Sequence, residues 1–272
     1  MKYTIGEVAN FLHLSRDMIR YYEKRGVIVS ERNESNNYRT YDNMAVFELL
    51  DTIQHKNLNL SIREIESMRH GDYEHNMSCY LDRYYDELKS EISFGTTLLK
   101  RIEELKSRYK TSDQNIGSYW IKSVPGRYRY HVVDSISGEF GAIELEASIS
   151  DVLFSDYVNP FVDYGFTSID DTESWHAVIS ESYTEELSID LPHGYEYEPE
   201  GTYLCSLVNI GSVKKFDMSA INMLRKTAYA RYGEKIAINP VIGMIASKLK
   251  KSGELHVVME LQIQIDYINN RL

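Results

Sequence analysis

The chain has 272 residues, 43% of them hydrophobic, and a formal net charge of −11. This length indicates about two domains, and no apolar run approaches the roughly 18 residues that a membrane-spanning helix needs. There is no apolar signal region at the N-terminus, and the two cysteines, Cys79 and Cys205, lack the spacing of a disulfide framework or a zinc site. We therefore expect a soluble, cytoplasmic protein that binds no metal and no cofactor.

The negative charge is confined to the later part of the chain. Residues 1–70 hold 10 Lys and Arg against 10 Asp and Glu, whereas residues 71–272 hold 20 against 31. A neutral N-terminal part can still present a local basic face to nucleic acid, while the acidic remainder repels nucleic acid and favours cations.

Two short helices are predicted in the stretch YTIGEVANFLHLSRDMIRYYEKRG, residues 3–26. Thr4, with Glu7 three residues later, predicts a capping box for the first helix, and Ser15 predicts the cap of the second. The second helix is predicted to bury Met18, Ile19 and Tyr22. It leaves four side chains facing outward, namely Arg16, Arg20, Tyr21 and Lys24. Helices this short, joined by a tight turn, are typical of a helix-turn-helix, whose second helix enters the DNA major groove.

The next stretch, VIVSERNESNNYRTY, is typical of a β-ribbon wing with an Asn-rich turn between its two strands. Asp42 is predicted to cap a helix that runs to about Lys56. Four side chains of that helix are predicted to face inward, namely Ala45, Leu49, Leu50 and Ile53. In NLNLSIREIESM, Ser61 with Glu64 predicts a further capping box and short helix.

A long helix is predicted from about Ser78 to Lys110, where there is no proline and only one glycine. Nine positions follow one another at alternating steps of four and three residues, and seven of them are apolar, the set being Leu81, Tyr85, Leu88, Ile92, Gly95, Leu99, Ile102, Lys106 and Tyr109. This spacing is typical of a coiled-coil seam, and the alternative is a single amphipathic helix on its own domain. TSDQNIGS, which follows, is predicted to be a linker.

Strands and two helices alternate beyond Gly117. Strands are predicted in YWIKSVPGRYRYHVVDS, SWHAVISESYTEELSIDL (a strand or hairpin), GTYLCSLVNIG, IAINPVIGMIA and ELHVVMELQIQIDY. Helices are predicted in ISDVLFSDYVNPFVDYG and KKFDMSAINMLRKTAYARYG. The order strand, helix, strands thus occurs twice, which indicates an α+β fold built from a duplicated unit.

Four motifs follow one another in the first 70 residues: YTIGEVA, a serine followed by IRYYEKRG, NYRTY in the wing, and LSIREI. In this order they resemble the MerR family of bacterial transcription regulators. Three positions where that family commonly has glycine hold His13, Asn37 and Asn59, and these residue types tolerate the left-handed backbone that glycine serves there.

The resemblance implies a homodimer on a pseudo-palindromic site in double-stranded promoter DNA, with the long helix pairing antiparallel with its copy. Regulators of this family distort a promoter with an overlong spacer so that RNA polymerase can use it. Arginine offers a planar donor fork for phosphate or guanine, and tyrosine adds a hydroxyl group. Carried over residue by residue, the DNA-contacting side chains are Arg16, Arg20, Tyr21, Tyr38, Arg39 and Arg63.

Residues 117–272 resemble a GyrI-like effector-binding domain in the order of their elements and in the terminal HVVMELQIQI, which is similar to that family's last, Glu-bearing strand. Alternation along this strand places Glu260 on the face opposite the apolar residues Val257, Met259, Leu261, Ile263 and Ile265. The resemblance implies a cleft between the two halves of the domain, into which Glu260 would point. The alternative for Glu260 is an ordinary surface carboxylate.

This region holds 12 of the 22 tyrosines and both tryptophans, together with 13 Lys and Arg against 22 Asp and Glu. Aromatic rings beside carboxylates suit an aromatic cation through stacking, cation–π contacts and charge pairing. The candidate ligand-binding residues are Glu260, Tyr128, Tyr130, Tyr183, Tyr203, Tyr229, Trp120 and Trp175.

Together these expectations describe an α+β protein with a winged helix-turn-helix domain at 1–75, a coiled-coil dimerisation helix at 76–112 and a GyrI-like domain at 117–272. The expected function is a non-enzymatic, ligand-responsive regulator that senses lipophilic aromatic cations and controls multidrug efflux. Two alternatives stay open: a regulator that senses a neutral metabolite or an oxidant, and a C-terminal domain that hydrolyses small molecules with Glu260 as base and Tyr203 as donor.

Overall fold

The computed structural model describes residues 2–33, 37–111, 114–134, 145–169, 172–212, 215–216, 219–251 and 253–266. The chain divides into two units, Met1–Leu88 and Lys89–Leu272, and the boundary falls inside one long helix. None of the described helices is both long and apolar enough to cross a membrane.

The first unit consists of a small antiparallel sheet with helices packed beside it. Its elements are β1 (Lys2–Thr4), α1 (Ile5–Leu12), α2 (Arg16–Lys24), β2 (Glu31–Arg32), β3 (Arg39–Asp42), α3 (Asn43–Asn57), α4 (Ile62–His70) and the first part of α5 (Tyr73–Thr111). Strand β3 is central and pairs with β1 and β2. The β2–β3 pair is the predicted wing, whose tip at residues 34–36 lies outside the described residues. Strand β1 was not predicted from the sequence.

Local sequence signals determine where these helices begin. The helix caps predicted for this unit are confirmed. In each case the capping side chain accepts a hydrogen bond from a backbone amide in the first turn of its helix, and the four caps are Thr4, Ser15, Asp42 and Ser61. The three residues that stand in place of glycine do adopt the left-handed backbone, with φ of 54° at His13, 58° at Asn37 and 68° at Asn59.

Two predicted core positions of the first unit are wrong. Met18 is 42% exposed and Leu50 is 47% exposed. Helix α2 turns Ile19 and Tyr22 inward instead, which leaves Met18 beside them on the outer face. Helix α3 buries positions spaced by three or four residues, and this stripe contains Ala45, Leu49, Thr52 and His55.

The second unit contains the rest of α5 and one large antiparallel sheet. Its further elements are β4 (Tyr119–Val124), β5 (Arg127–Val133), α6 (Ala147–Leu153), β6 (Val162–Ile169), β7 (Thr172–Ser180), α7 (Glu181–Glu186), β8 (Glu196–Glu198), β9 (Gly201–Ser212), β10 (Lys215–Phe216), α8 (Ser219–Tyr232), α9 (Glu234–Ala237), β11 (Val241–Lys251) and β12 (Glu254–Gln264). The strand order is β10–β9–β12–β11–β6–β7–β5–β8, and β4 pairs with β9.

This order agrees with the predicted duplication. One half runs β5, α6, β6, β7 along the chain and the other runs β9, α8, β11, β12. In each half the third strand lies between the first and the second, and the halves join where β6 pairs antiparallel with β11. Two glycines permit this junction: a Cβ on Gly243 would lie 2.2 Å from a ring atom of Phe166, and one on Gly165 would lie 2.5 Å from the Gly243 carbonyl oxygen.

Several elements of the second unit differ from the prediction. Strand β10 lies in a stretch predicted as helix, and α9 overlaps the start of a stretch predicted as strand, which begins as β11 only at Val241. The stretch predicted as one helix at 149–165 is helical only to Leu153. A separate 3-10 turn that contains Pro160 follows at Asn159–Phe161, and β6 then begins at Val162. Pro125 and Gly126 divide the first predicted strand into β4 and β5. The stretch at 174–191, predicted as a strand or hairpin, is strand β7 followed by helix α7. Part of the predicted linker, residues 112–113, lies outside the described residues.

Candidate DNA interface and ligand cavity

Helix α2 presents a polar, arginine-bearing face to solvent. Ile19 and Tyr22 are buried on its inner side, and this fixes the helix against the core of the first unit. Its outward side chains are exposed as predicted, the set being Arg16, Arg20, Tyr21 and Lys24. Among the described residues, Arg20 forms an ion pair with Asp17, in which Arg20 Nη1 lies 3.2 Å from the carboxylate. Both side chains are exposed to solvent, so the guanidinium is available to another anion.

Ion pairs attach the wing and α4 to this helix. Arg39 Nε on β3 lies 3.0 Å from Glu23 Oε1 of α2, and Arg25 Nε at the end of α2 lies 3.0 Å from Glu66 Oε1 of α4. Tyr38 of the wing is 72% exposed, and Arg63 in the first turn of α4 is exposed as well. All six residues assigned to DNA contact therefore lie on the surface of one small unit whose parts are held together.

A cavity of about 590 Å³ lies on the face of the large sheet opposite helix α8. Trp120 and Val124 of β4, Leu207 of β9 and Met244 of β11 give it apolar walls. Its charged lining consists of Arg108, Lys122, Arg127, Asp163 and Glu260. The predicted alternation along β12 is confirmed, because Val257, Met259, Leu261 and Ile263 pack in the core with α8 while Glu260 lines the cavity.

A chain of paired polar groups crosses this cavity. Lys122 forms an ion pair with Glu260, and Gln262 Nε2 donates to Glu260 Oε1 at 2.6 Å. The Gln262 Oε1 atom accepts from Arg127 Nη1 at 3.0 Å. Three strands separate β5 from β12 in the sheet order, so this last contact requires the sheet to curl around the cavity.

This series of paired polar groups ends in a buried ion pair between Arg127 and Glu198. Arg127 donates to Glu198 through two nitrogens, at 3.0 and 2.8 Å. Burial alone would lower the pKa of Arg127, but the hydrogen bonds and charge of Glu198 hold it above its usual value. Burial would likewise raise the pKa of Glu198, and its bonds to Arg127 hold it below its usual value. Both groups are therefore charged at neutral pH, and together they fix the position of Gln262.

One wall of the cavity comes from helix α5. Arg108 binds Asp163 of β6 with Nη1 at 3.0 Å, and both residues line the cavity. Arg101, two turns earlier on α5, also binds Asp163, with Nη2 at 2.7 Å, and its side chain is only 3% exposed. Burial would raise the pKa of the Asp163 carboxyl, but Arg108 and Arg101 hold it below its usual value.

Of the eight predicted ligand-binding residues, only Glu260 and Trp120 line this cavity. Trp175, Tyr130 and Tyr183 are core residues, with exposures of 6%, 1% and 5%. The Tyr130 hydroxyl donates to the Pro192 carbonyl and burial raises its pKa to about 12, which is typical of a satisfied core tyrosine.

The remaining predicted tyrosines point elsewhere. The Tyr128 ring contacts Tyr195 in an edge-to-face arrangement and Tyr197 at a tilt, and Tyr229 is 60% exposed on α8. Tyr203 is buried and donates its hydroxyl to Glu198. It lies opposite Gln264 on β12, four residues from Glu260, so the hydrolytic pair of Glu260 and Tyr203 is not formed.

Neither cysteine is placed for chemistry in this cavity. Cys205 is fully buried, and burial, with the charge of Glu260 adding to it, raises the pKa of its thiol to about 12. Cys79 is exposed on α5, with its Sγ 3.7 Å from His75 Nε2. Within the described ranges, no three His, Cys, Asp or Glu side chains are arranged to hold a metal ion.

Four charged cavity residues, Arg108, Lys122, Arg127 and Asp163, were not predicted from the sequence. For Lys122 a signal exists in YWIKSV, because a strand places residues two apart on the same face and Trp120 was already a candidate. For Arg127 and Asp163 no local signal exists, since only the curl of the sheet and the docking of α5 bring them to the cavity.

A winged helix-turn-helix unit with an exposed arginine-bearing helix, continued by a long helix into an α+β unit with a cavity, defines a class of protein: a DNA-binding transcriptional regulator. Comparison with known proteins agrees with this class. The profile described as "MerR family regulatory protein" matches residues 4–41.

Two curated relatives extend the match. An uncharacterised HTH-type transcriptional regulator of Synechocystis is 30% identical over 104 residues, which is 38% of this chain and 74% of that protein. The mercuric resistance operon regulatory protein of Bacillus cereus is 30% identical over 112 residues, 39% of this chain and 76% of that protein. The chain belongs to the MerR family of transcriptional regulators.

One solved structure matches almost the whole chain. The cryo-EM structure of the EcmrR–DNA complex in EcmrR-RPo covers 96% of this chain and 98% of its own, with 15% identity and a TM-score of 0.36. At that TM-score no residue or ligand is carried over from it.

Proposed function

We propose that the protein is a homodimeric, ligand-responsive regulator of a promoter and that the cavity described above is the effector site of a GyrI-like domain. One observation carries this proposal. The ion pair of Arg108 and Asp163 belongs both to the cavity wall and to α5, the helix that continues without a break from residue 111 back to residue 73. A ligand in the cavity therefore touches the helix that leads to the DNA-binding unit.

The exposed surface of α5 supports the dimer. Seven apolar residues of the predicted seam are each between 38% and 68% exposed, the set being Leu81, Tyr85, Leu88, Ile92, Leu99, Ile102 and Tyr109. A stripe of this length on a single chain favours burial against a second copy. In the dimer, two copies of α2 would read a pseudo-palindromic promoter and control its use by RNA polymerase through the shape of the DNA.

The chemistry of the cavity favours a lipophilic, aromatic, cationic effector, and we propose multidrug efflux as the process under control. The half-buried Trp120 offers a ring face, and Val124 and Met244 offer apolar surface. Glu260 offers a carboxylate whose side chain is only 18% exposed. A cation that is stacked on an aromatic ring and paired with a partly desolvated carboxylate gains from both contacts.

A second observation favours the alternative of a neutral effector. Both carboxylates that line the cavity are already paired with cations of the protein, Glu260 with Lys122 and Asp163 with Arg108. A neutral aromatic metabolite could fill the apolar part of the cavity and leave both ion pairs in place.

The test titrates the full-length protein with three acridines that share one ring system: N-methylacridinium (positive), acridine at pH 8 (neutral) and acridine-9-carboxylate (negative). Tryptophan quenching reports binding, since Trp120 lines the cavity while Trp175 lies in a core. Glu260→Gln keeps the shape of the side chain and removes its charge, so it should lower the affinity for N-methylacridinium by more than about tenfold, roughly 1.4 kcal/mol. Affinity for acridine, and for DNA without ligand, should stay unchanged.

The matched control is Glu254→Gln, which removes an exposed carboxylate from the same strand and should change nothing. Trp120→Phe should abolish most of the quenching. If Glu260→Gln binds the cation as tightly as wild type, Glu260 takes no part in recognition. If acridine binds as tightly as its N-methyl cation, the neutral alternative replaces the cationic one.

A further inference from the structure

Strand β4 carries a lysine into the cavity. Residues two apart on a strand share a face, and Trp120, Lys122 and Val124 all line the cavity. The Lys122 ammonium forms an ion pair with Glu260, with side-chain exposures of 38% and 18%. The carboxylate that a cationic effector needs is therefore occupied by a cation of the protein itself.

The two partners of Glu260 differ in how firmly they are held. Gln262 is fixed, since it also accepts a hydrogen bond from Arg127, which is 5% exposed and bound twice to Glu198. Lys122 stands on a flexible four-carbon stem, and among the described strands β4 pairs with β9 alone. An incoming cation would thus displace Lys122 rather than Gln262.

Displacing Lys122 from Glu260 costs little free energy, because their ion pair is partly solvated. Solvated ion pairs of this kind shift an equilibrium by only about two- to fivefold. A displaced ammonium group with 38% exposure regains water at the mouth of the cavity. A ligand with a positive group restores the partner that Glu260 loses, whereas a neutral ligand that displaced Lys122 would leave the carboxylate unpaired.

We infer that Lys122 is a selectivity-determining residue of the cavity: it is a tethered cation that occupies the subsite of the effector's positive group and must be displaced by it. This inference rests on the proposed function of the cavity as a site for an aromatic cation. It adds that the protein lowers its own affinity for cations, so that only ligands with both a positive group and enough apolar surface for Trp120 bind well.

The experiment replaces Lys122 in the full-length protein and repeats the titration with the three acridines. Lys122→Met removes the charge and keeps most of the stem, and it should strengthen the binding of N-methylacridinium by about three- to fivefold. The affinity for neutral acridine should change by less than about twofold. Lys122→Gln, which keeps a polar group in case methionine disturbs β4, should tighten the cation as well. The matched control, Lys250→Met, changes an exposed lysine near the end of β11 and should leave all three affinities as in wild type.

Each contrary result has a separate meaning. Suppose that wild type binds the cation, that Glu260→Gln no longer binds it, and that neither Lys122 variant binds it more tightly than wild type. Lys122 then does not compete with the ligand, so the inference is overturned while the proposed function stands. If acridine-9-carboxylate binds wild type and is lost in both Lys122 variants, Lys122 is an anion-binding group and the inference is again overturned. If neither wild type nor either variant binds the cation, the cationic effector fails and the inference falls with it.

Discussion

The attachment of α5 to the large sheet rests on a buried arginine, and its removal should be costly. The Arg101 side chain is 3% exposed, and it donates to Asp163 Oδ1 at 2.7 Å and to the Pro160 carbonyl oxygen at 3.2 Å. Breaking a buried ion pair costs about 3–5 kcal/mol when the partner is left alone. Here Arg108 still binds Asp163, with Nη1 at 3.0 Å. We therefore expect Arg101→Met to lower the free energy of unfolding of the second unit by about 2–3 kcal/mol.

The neighbouring residue supplies the control. Lys100 pairs with Glu186 at 2.6 Å, but the two side chains are 51% and 38% exposed, so Lys100→Met should cost less than about 1 kcal/mol. Urea unfolding at pH 7 followed by tryptophan fluorescence measures both variants, because both tryptophans lie in the second unit.

Unfolding measurements at acid pH distinguish the loss of the ion pair from the loss of packing in Arg101→Met. The folded pKa of Asp163 lies below its usual value, so the ion pair stabilises the fold above the unfolded pKa of about 3.9 and this contribution is lost as the pH falls through the folded pKa. The difference between wild type and Arg101→Met should therefore shrink below about pH 4. A difference at pH 7 no larger than that of Lys100→Met, or one that stays constant down to the lowest pH at which the protein remains folded, would refute the reasoning.

Two further predictions concern DNA binding and assembly. Arg20→Ala should weaken binding to a selected promoter fragment by about 1–3 kcal/mol in a gel-shift or anisotropy titration, with dimer mass unchanged, whereas Lys250→Ala should bind as wild type does; unchanged affinity would remove Arg20 from the interface. Leu99→Glu places a charge in the α5 stripe and should give a monomer by light scattering that no longer binds the fragment, while Ser90→Glu, off the stripe on the same helix, should stay dimeric. A dimeric Leu99→Glu would exclude this stripe as the seam.

The features that sequence predicted well are those set by a few neighbouring residues. A capping side chain bonds an amide three residues away, and a left-handed residue needs only a tolerant side chain, so Ser61 and Asn59 could be assigned without the fold. The face of β12 that bears Glu260 could be predicted for the same reason, because alternation along a strand is local.

The composition of the cavity could not be predicted in this way. Strand β4 pairs with β9, which lies about 80 residues away in the sequence, and the curl of the sheet brings Arg127 to Gln262 across three intervening strands. Residue type also misled for the tyrosines. Tyr130 lies in a core and donates its hydroxyl to a backbone carbonyl. In the sequence alone, such a tyrosine cannot be told from one that stacks on a ligand.

The two arginines on Asp163 suggest how the cavity could act on α5 without releasing it. Arg101 is buried and also holds the Pro160 carbonyl, so it anchors the helix whatever occupies the cavity. Arg108, two turns further along, is 35% exposed and faces the cavity. An effector that competes for the Asp163 carboxylate, or displaces Arg108 by its volume, changes the contacts of the last turns of α5 while the anchor at Arg101 persists.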